Sequence, residues 1–405
     1  MTVCILIGSL EQGGAQSMAL RLLDSFQAQG LNVYLLTLDR NVEIPIHGDA
    51  KRQKELSKRV IHLSQADVRC KALYKIFMAP WQWLKLQRTL KRLNCQVLIS
   101  FMERANILNM LTLKKLRHII SIRTHLSIAL RNKSLLKRSL IKFCYPLLLG
   151  RADVINFNSR QTAGDFCSLF TVDERKISVI YNYCDQKLLQ QLASEHFPES
   201  YKSIFKNPVV ITCGRLIEIK GHRFLIQSFK EVQKHYPETQ LVILGDGPLK
   251  EQLLNLTHQL GINNSVHFPG YQSNPFVWMA KATLFILPSL GEGFPNALLE
   301  AMTLGIPVIS TDCPSGPREI LTNKDNFDEK ITDIYYSPYG ILIPRFDQSC
   351  QKDNSSPESL LASATMKLLE DNKLRKRYGQ AAQERTKMFS PKHCLSQWRS
   401  LIQLK

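Results

Sequence analysis

The sequence predicts an α/β protein built from two doubly wound parallel-sheet domains. Three observations carry this. Short apolar, β-branched runs alternate with segments of helical period, and glycine-rich turns separate them. The alternation halts over a polar stretch, residues 186–208, and restarts at Val209. The chain has 405 residues, 44% of them apolar and 21% charged, which suits two or three buried cores and excludes a disordered protein.

The first forty residues set the pattern. Thr2–Ile7 is apolar and reads as a buried strand, not as a signal peptide, because no positive lead and no small-residue cleavage site accompany it. Gly8-Ser9 and Gly13-Gly14 break the chain. Met18, Leu22, Leu23 and Phe26 then recur at helical spacing, Gly30 closes the helix, and Leu31–Leu38 is the next strand. Further strands are expected at Gln96–Phe101, His118–Ile122, Asp153–Phe157 and Ile177–Tyr181, giving a first domain over residues 1–185. Residues 186–208 read as helix fragments and linker.

The second domain is expected over 209–388. Its strands are VVITCG, LVILG, VHFPG, TLFILP and PVIST, with helices from about His222 to His235, in PLKEQLLNLTHQLG, near Val277–Ala280 and over 295–304. Residues 322–338 read as a loop. The last segment, 389–405, reads as a helix packing back toward the first domain. Two such domains are expected to face each other across a cleft, with ligands at loops that follow strands.

Ten cysteines are scattered with no Cys-x-x-Cys pair, and Cys4 and Cys213 sit inside apolar strands. They read as buried reduced thiols of a cytosolic protein, not as a disulfide frame or a zinc site. No uncharged apolar run reaches the length of a membrane span. The net charge of +19 is concentrated. Residues 68–152 hold 18 Lys or Arg and one acid, Glu103, which leaves only +2 for the rest of the chain. That stretch calls for a large acidic partner, either the anionic face of a membrane or nucleic acid. No zinc finger, RNP-like aromatic strand or helix-turn-helix pattern is evident, so nucleic acid is not expected.

Two basic segments stand out within this stretch. In WQWLKLQRTLKRLN (81–94), Trp83, Leu86, Leu90 and Leu93 share one helical face and Lys85, Arg88 and Arg92 the other. RNKSLLKRSLIKF (131–143) mixes bases with Leu, Ile and Phe. Packing on the domain's own sheet is one account of such helices. Attraction to anionic lipid, about 1 kcal/mol per basic residue near the surface, is the other. The second implies peripheral, salt-sensitive attachment.

The stretch GEGFPNALLE (291–300) follows strand TLFILP and leads into a helix. Its free backbone N–H groups can hold an anion or sugar hydroxyls. Glu292 sits in the turn and Glu300 about 80° further round at 100° per residue, so both can line one wall. An acid near a helix start plus one solvated glutamate is the plainer reading. Another strand-following turn, GRLIEIKG (214–221), favours the functional one. Arg215 and Lys220 there can neutralise a diphosphate leaving group. Gly13-Gly14 is small enough for a phosphate to approach, although an ordinary tight turn also explains it, and it does not match G-x-G-x-x-G.

Taken together, the opening GGA loop, GRLIEIKG, LGDGPLKEQL, FPGYQSN and LPSLGEGFPNALLEAMTLGIPVISTDCPSG resemble the GT-B glycosyltransferases of family 4. The match is dense over 209–321 and weaker over 1–185. The pairing of GR-x4-K with E-x7-E is specific as a set.

The resemblance implies retaining transfer of a sugar from a nucleotide donor, a UDP-hexose or UDP-N-acetylhexosamine. No other cofactor and no metal is implied, and the sequence has no Asp-x-Asp triplet. By the resemblance, Arg215 and Lys220 bind the donor diphosphate, Glu300 the ribose, and Glu292 faces the transferred sugar. The backbone around Phe294, Pro295 and Asn296 holds sugar hydroxyls. Gly13 and Gly14 let the first loop meet the β-phosphate, and His267–Tyr271 lies near the base. His125, in RTHLS, matches a position near the reacting centre, though a satisfied strand-end histidine is its plainer reading.

The TDCPSGPREIL segment resembles enzymes that extend lipid-carried oligosaccharides. The implied acceptor is therefore a glycan or lipid-linked oligosaccharide at the cytoplasmic face of the membrane, in surface polysaccharide or lipopolysaccharide synthesis. Alternatives are a GT-B-fold epimerase or phosphorylase and a non-catalytic sugar or lipid-headgroup binder. A two-carboxylate hydrolase is weaker, because it needs no phosphate clamp.

Overall fold

The computed structural model describes the chain except residues 12, 41–49, 65–76, 114, 132–134, 324–326, 328, 347–355 and 404–405. Two compact units result. One comprises Met1–Asn182 with Cys394–Lys405, and the other Tyr183–His393.

The first unit is a seven-stranded parallel sheet. Its strands are β1 (Thr2–Ile7), β2 (Asn32–Thr37), β3 (Val60–His62), β4 (Val97–Phe101), β5 (Arg117–Ile122), β6 (Val154–Phe157) and β7 (Ile177–Val179), in the order β3-β2-β1-β4-β5-β6-β7. β1 is central. Val3 to Ile7 are buried because helices cover both faces, which is why this strand reads as continuously apolar. The order reverses between β1 and β4, so the loops after those strands mark the switch point where such sheets open a crevice. β3 was not anticipated, since three half-buried residues at a sheet edge leave almost no periodic trace.

The C-terminal helix Pro391–Gln403 is counted with this unit from Cys394 onward. Trp398, fully buried, has its ring centroid 6.3 Å from that of Phe101, and Arg117 Nε donates to the Leu401 carbonyl at 2.7 Å.

The second unit contains β8 (Val209–Cys213), β9 (Gln240–Leu244), β10 (Val266–Gly270), β11 (Leu284–Leu287), β12 (Val308–Thr311), β13 (Tyr335–Ser337) and β14 (Gly340–Ile343), in the order β10-β9-β8-β11-β12-β14-β13. All pairs are parallel except β13 with β14. The loop expected over 322–338 is thus corrected at its end. Tyr335–Ser337 folds back on β14, with Ser337 Oγ donating to the Gly340 carbonyl at 2.7 Å. Helices Pro357–Glu370 and Asn372–Thr386 lie where the sequence reading names no element.

Residues 186–208, read as linker, pack with the second unit. Helix Gln186–Ala193 is capped by Asp185, whose Oδ1 accepts the Lys187 and Leu188 amides. Beyond it, Phe197, Tyr201 and Phe205 surround buried Trp278 with ring centroids 5.0, 4.8 and 6.1 Å away. Asn274 Nδ2 donates to the Leu192 carbonyl at 2.8 Å. This segment is short of apolar residues, and aromatic anchors hold it instead.

Candidate active site

In the second unit, loops following three neighbouring strands are stitched together. The loop after β8 forms a 3₁₀ turn, Glu218–Lys220, and leaves it through Gly221 at φ +66°. A side chain there would place its Cβ 2.0 Å from the Pro288 carbonyl oxygen, so only glycine lets this loop press against the end of β11. The Leu290 amide then donates to the Ile219 carbonyl at 2.8 Å.

The loop after β12 grips the GEGFP turn. The Glu292 amide donates to the Pro314 carbonyl, and the Ser315 amide returns a bond to the Glu292 carbonyl at 3.1 Å. Ser315 Oγ donates to the Gly293 carbonyl at 2.8 Å, and Thr311 Oγ1 to the Ser289 carbonyl. Gly316, at φ +103°, lets this loop approach Pro295, whose Cδ would lie 2.5 Å from an added Cβ.

This stitching brings Lys220 and Glu292 together. Lys220 Nζ lies 2.6 Å from Glu292 Oε1, which also accepts from Ser289 Oγ at 2.6 Å. The carboxylate is one-tenth exposed and the ammonium one-quarter, so the pair is partly shielded from water. Both keep access to the outside, as a ligand site requires.

The surroundings are tuned toward one fixed charge pair. Burial, and then Lys220, pull His222 down to about 4, so its ring is neutral near neutrality. Burial, and then Glu300, push the Cys213 thiol up to about 12. Burial, followed by Glu292, likewise raises Cys313. Lys220 acts on all three groups. The charges of Glu300 and Lys220 act on the Cys213 thiol in opposite directions, and burial keeps it neutral.

The other expected residues of this unit divide. The helix expected over 295–304 runs over Asn296–Thr303, and Pro295 caps it with extended backbone (φ −77°, ψ 99°). Glu292 therefore lies outside the helix. The 80° helical offset from Glu300 does not describe it; the loop hydrogen bonds do. Phe294 is buried edge-on against Phe389, with ring centroids 5.6 Å apart, so its side chain serves packing. Arg215 is exposed at the start of the 214–221 turn and forms no ion pair among the described residues.

Three expected residues stand on the first unit. Gly13 precedes helix Gly14–Ala28, whose start has no side-chain cap and no acid in its first turn. A helix start with no acid in its first turn suits an anion. His125 follows β5, with Nδ1 3.2 Å from Asp165 Oδ2. The same carboxylate oxygen accepts the Ser127 amide at 3.0 Å, which orients it.

Sequence reasoning missed Asp165, Ser289 and Ser315, whose roles arise from loop contacts. It also missed Arg123, two residues before His125. Only 5% exposed, its guanidinium lies 4.5 Å from the Phe101 ring centroid and 5.6 Å from that of Trp398. Nη1 donates to Asn182 Oδ1 at 2.8 Å. Burial lowers its pKa to about 9. The arginine ending the apolar run HIISIR was the available signal. Among the described residues, no cluster of three His, Cys, Asp or Glu side chains is placed to hold a metal ion.

Two Rossmann-like parallel-sheet units, with the second presenting a Lys–Glu pair at its strand ends, are the architecture of the GT-B glycosyltransferases. Family models match nearly the whole chain: "Glycosyltransferase Family 4" over residues 12–187 and "Glycosyl transferases group 1" over residues 194–385. The chain belongs to the family 4-type GT-B glycosyltransferases.

Among its relatives is an uncharacterized glycosyltransferase of Methanocaldococcus jannaschii. It is 40% identical over 271 residues, 65% of this chain and 66% of that protein. A second is the N-acetylgalactosamine-N,N'-diacetylbacillosaminyl-diphospho-undecaprenol 4-alpha-N-acetylgalactosaminyltransferase of Campylobacter jejuni. It is 28% identical over 392 residues, 95% of this chain and 94% of that enzyme. Among solved structures, Anabaena HepE in complex with UDP and glucose superposes with a TM-score of 0.73 at 18% identity, covering 99% of this chain and 98% of that one.

Proposed function

We propose that the chain is a retaining glycosyltransferase that moves a hexose or N-acetylhexosamine from a UDP-sugar to a lipid-linked glycan. The observation that carries this is the Lys220–Glu292 pair, held by three strand-end loops. The UDP bound by HepE and the diphospho-undecaprenol acceptor named for the Campylobacter enzyme support the two substrate classes.

In this reading Lys220 and Arg215 take the donor diphosphate, Glu300 the ribose, and the backbone of 294–296 the sugar hydroxyls. Glu292, released from Lys220 by the incoming phosphate, faces the transferred sugar. As the C–O bond to the β-phosphate lengthens, negative charge builds on that phosphate. Lys220, Arg215 and helix N-termini stabilise it. The acceptor hydroxyl attacks the oxocarbenium-like carbon from the face the phosphate leaves, and a phosphate oxygen takes its proton.

The first unit binds the acceptor, with His125 beside Asp165. The amides at Gly13 and Gly14 take a phosphate oxygen. Its basic stretch, residues 68–152, holds the enzyme on the inner face of the cytoplasmic membrane; residues 68–76, 114 and 132–134 of it lie outside the described residues. No described helix is long and apolar enough to cross a membrane.

A thermal-shift series with UDP, GDP and ADP sugars tests the donor. UDP-sugar at a hundred times its Kd should add about 2.7 kcal/mol of stability. Stabilisation by none of the three contradicts the reading. Release of UDP only when acceptor is present separates transfer from epimerisation.

A further inference from the structure

Resting on the membrane-bound reading above, we infer that the first unit does more than lie electrostatically on anionic lipid: it inserts a set of apolar side chains into the bilayer. The sequence led to the expectation of a peripheral, salt-sensitive contact, with packing on the domain's own sheet as the other account of the basic helices. The structure buries the expected apolar face of the first helix, with Trp83 and Leu93 packed against the same core as Leu86 and Leu90, and leaves other apolar side chains outside it. On helix Ala79–Arg92, Leu86 and Leu90 are buried, whereas Trp81 and Leu84 are exposed in one stripe with Arg88. Phe77, just before this helix, is 81% exposed. On helix Leu135–Leu148, Phe143 is 68% exposed and Leu147 lies four residues on, also exposed.

The segment 111–113 is hydrogen-bonded to the first helix and to the turn, Leu149–Arg151, that follows the second. Trp83 Nε1 donates to the Leu111 carbonyl at 3.0 Å from one side, and Arg151 Nη2 donates to the Thr112 carbonyl at 2.8 Å from the other. Between these anchors Leu113 is 72% exposed. One exposed apolar residue means little, but several large ones on bonded neighbouring elements point to a partner.

Charge selects the partner. Lys85, Arg88, Lys91 and Arg92 lie on the first helix, Lys142 on the second and Lys115 just after Leu113. The whole region from 68 to 152 holds a single acid. A second copy of so basic a face is repelled. Nucleic acid meets the charge but offers no apolar medium for Phe77, Leu113 and Phe143. An anionic bilayer meets both, with headgroups for the bases and the acyl boundary for the rings and leucines. Trp81, with Lys85 Nζ 5.4 Å from its ring centroid, has the amphipathic character of side chains that settle at that boundary.

Flotation of the full chain with vesicles of equal parts phosphatidylglycerol and phosphatidylcholine tests this, first at low salt and then at about 1 M, where the screening length falls to about 3 Å. The native chain should bind at low salt and keep a bound fraction at high salt. A variant carrying Phe77→Ser, Trp81→Ser, Leu84→Ser, Phe143→Ser and Leu147→Ser should still bind at low salt. It should lose the salt-resistant fraction at least tenfold, with cooperative unfolding retained because none of these side chains belongs to the buried core. Complete release of the native chain at high salt overturns the insertion and leaves the electrostatic reading standing. Absence of flotation at low salt overturns the membrane reading itself. Gel filtration showing a dimer that the variant splits also overturns the insertion, by making the patch a self-association face.

Discussion

Lys220 Nζ stands 2.6 Å from Glu292 Oε1, although 72 residues separate the two. The pair joins the loops that follow β8 and β11. A cation and an anion held partly out of water attract each other strongly. On the proposed reading, a phosphate group competing for Lys220 would free the carboxylate for a sugar.

Binding and transfer should therefore separate at this pair. Lys220→Ala should weaken UDP binding roughly 10- to 100-fold, the loss of one charge-assisted hydrogen bond of about 1.5–3 kcal/mol. Glu292→Gln should bind UDP as tightly as the native chain or more tightly, while transfer falls by about 10² or more. Titration calorimetry with UDP, alongside a UDP-release assay, checks both. Tenfold weaker UDP binding by Glu292→Gln is the result that counts against the competition.

Gly221 and Gly261 share a left-handed backbone, φ +66° and +70°, but not their surroundings. Gly261→Ala meets open space and should cost about 1–2 kcal/mol from backbone strain alone. Gly221→Ala drives its Cβ to 2.0 Å from the Pro288 carbonyl oxygen and should cost about 3 kcal/mol or more. It should also displace Lys220. Urea unfolding of the two variants side by side reads the difference; equal losses show that the loop is not docked on β11.

His222 is buried and neutral, held near 4 by burial and by Lys220. In the unfolded chain it titrates near 6.5. Below that value the unfolded state binds the extra proton, so stability is full above pH 6.5 and lost as pH falls toward 4. The loss approaches ~3 kcal/mol at about 1.4 kcal/mol per tenfold change in proton affinity. Unfolding curves at pH 7 and pH 4.5 should converge in a His222→Gln variant relative to the native chain. An equal acid sensitivity in both chains assigns the effect to other groups.

On the first unit, His125→Ala should lower kcat by about 10²–10⁴, the range for a proton-handling group. Asp165→Asn should lower it less, because the ring loses only a neighbouring negative charge. Neither should change the dissociation constant of UDP, since neither residue is among the proposed nucleotide ligands. A change in UDP affinity as large as the change in kcat contradicts this division.

Most of the frame was legible in the sequence. β1 was read at Thr2–Ile7 and the helix His222–His235 at its ends, because buried strands and amphipathic helices print their periods directly. β3 and β13 were not, since each is three residues long at a sheet edge. The stretch 186–208 looked like linker because its anchoring is done by a few aromatics around Trp278, on a helix some seventy residues further along.

At the site, GR-x4-K and E-x7-E pointed to Lys220 and Glu292 as a set. Spacing alone did not say that they touch, nor that Ser289 and Ser315 complete the loop, because those contacts come from tertiary packing. Likewise the sequence left the basic helices ambiguous, and only their burial showed Leu86 inside and Trp81 outside.

The most direct measurement is a crystal structure with UDP bound. Lys220 Nζ should lie about 3 Å from a phosphate oxygen, with Glu292 turned away from it toward the vacant sugar position. Lys220 still paired with Glu292, and the diphosphate bound by other residues, contradicts the assignment of this pair to donor binding and transfer.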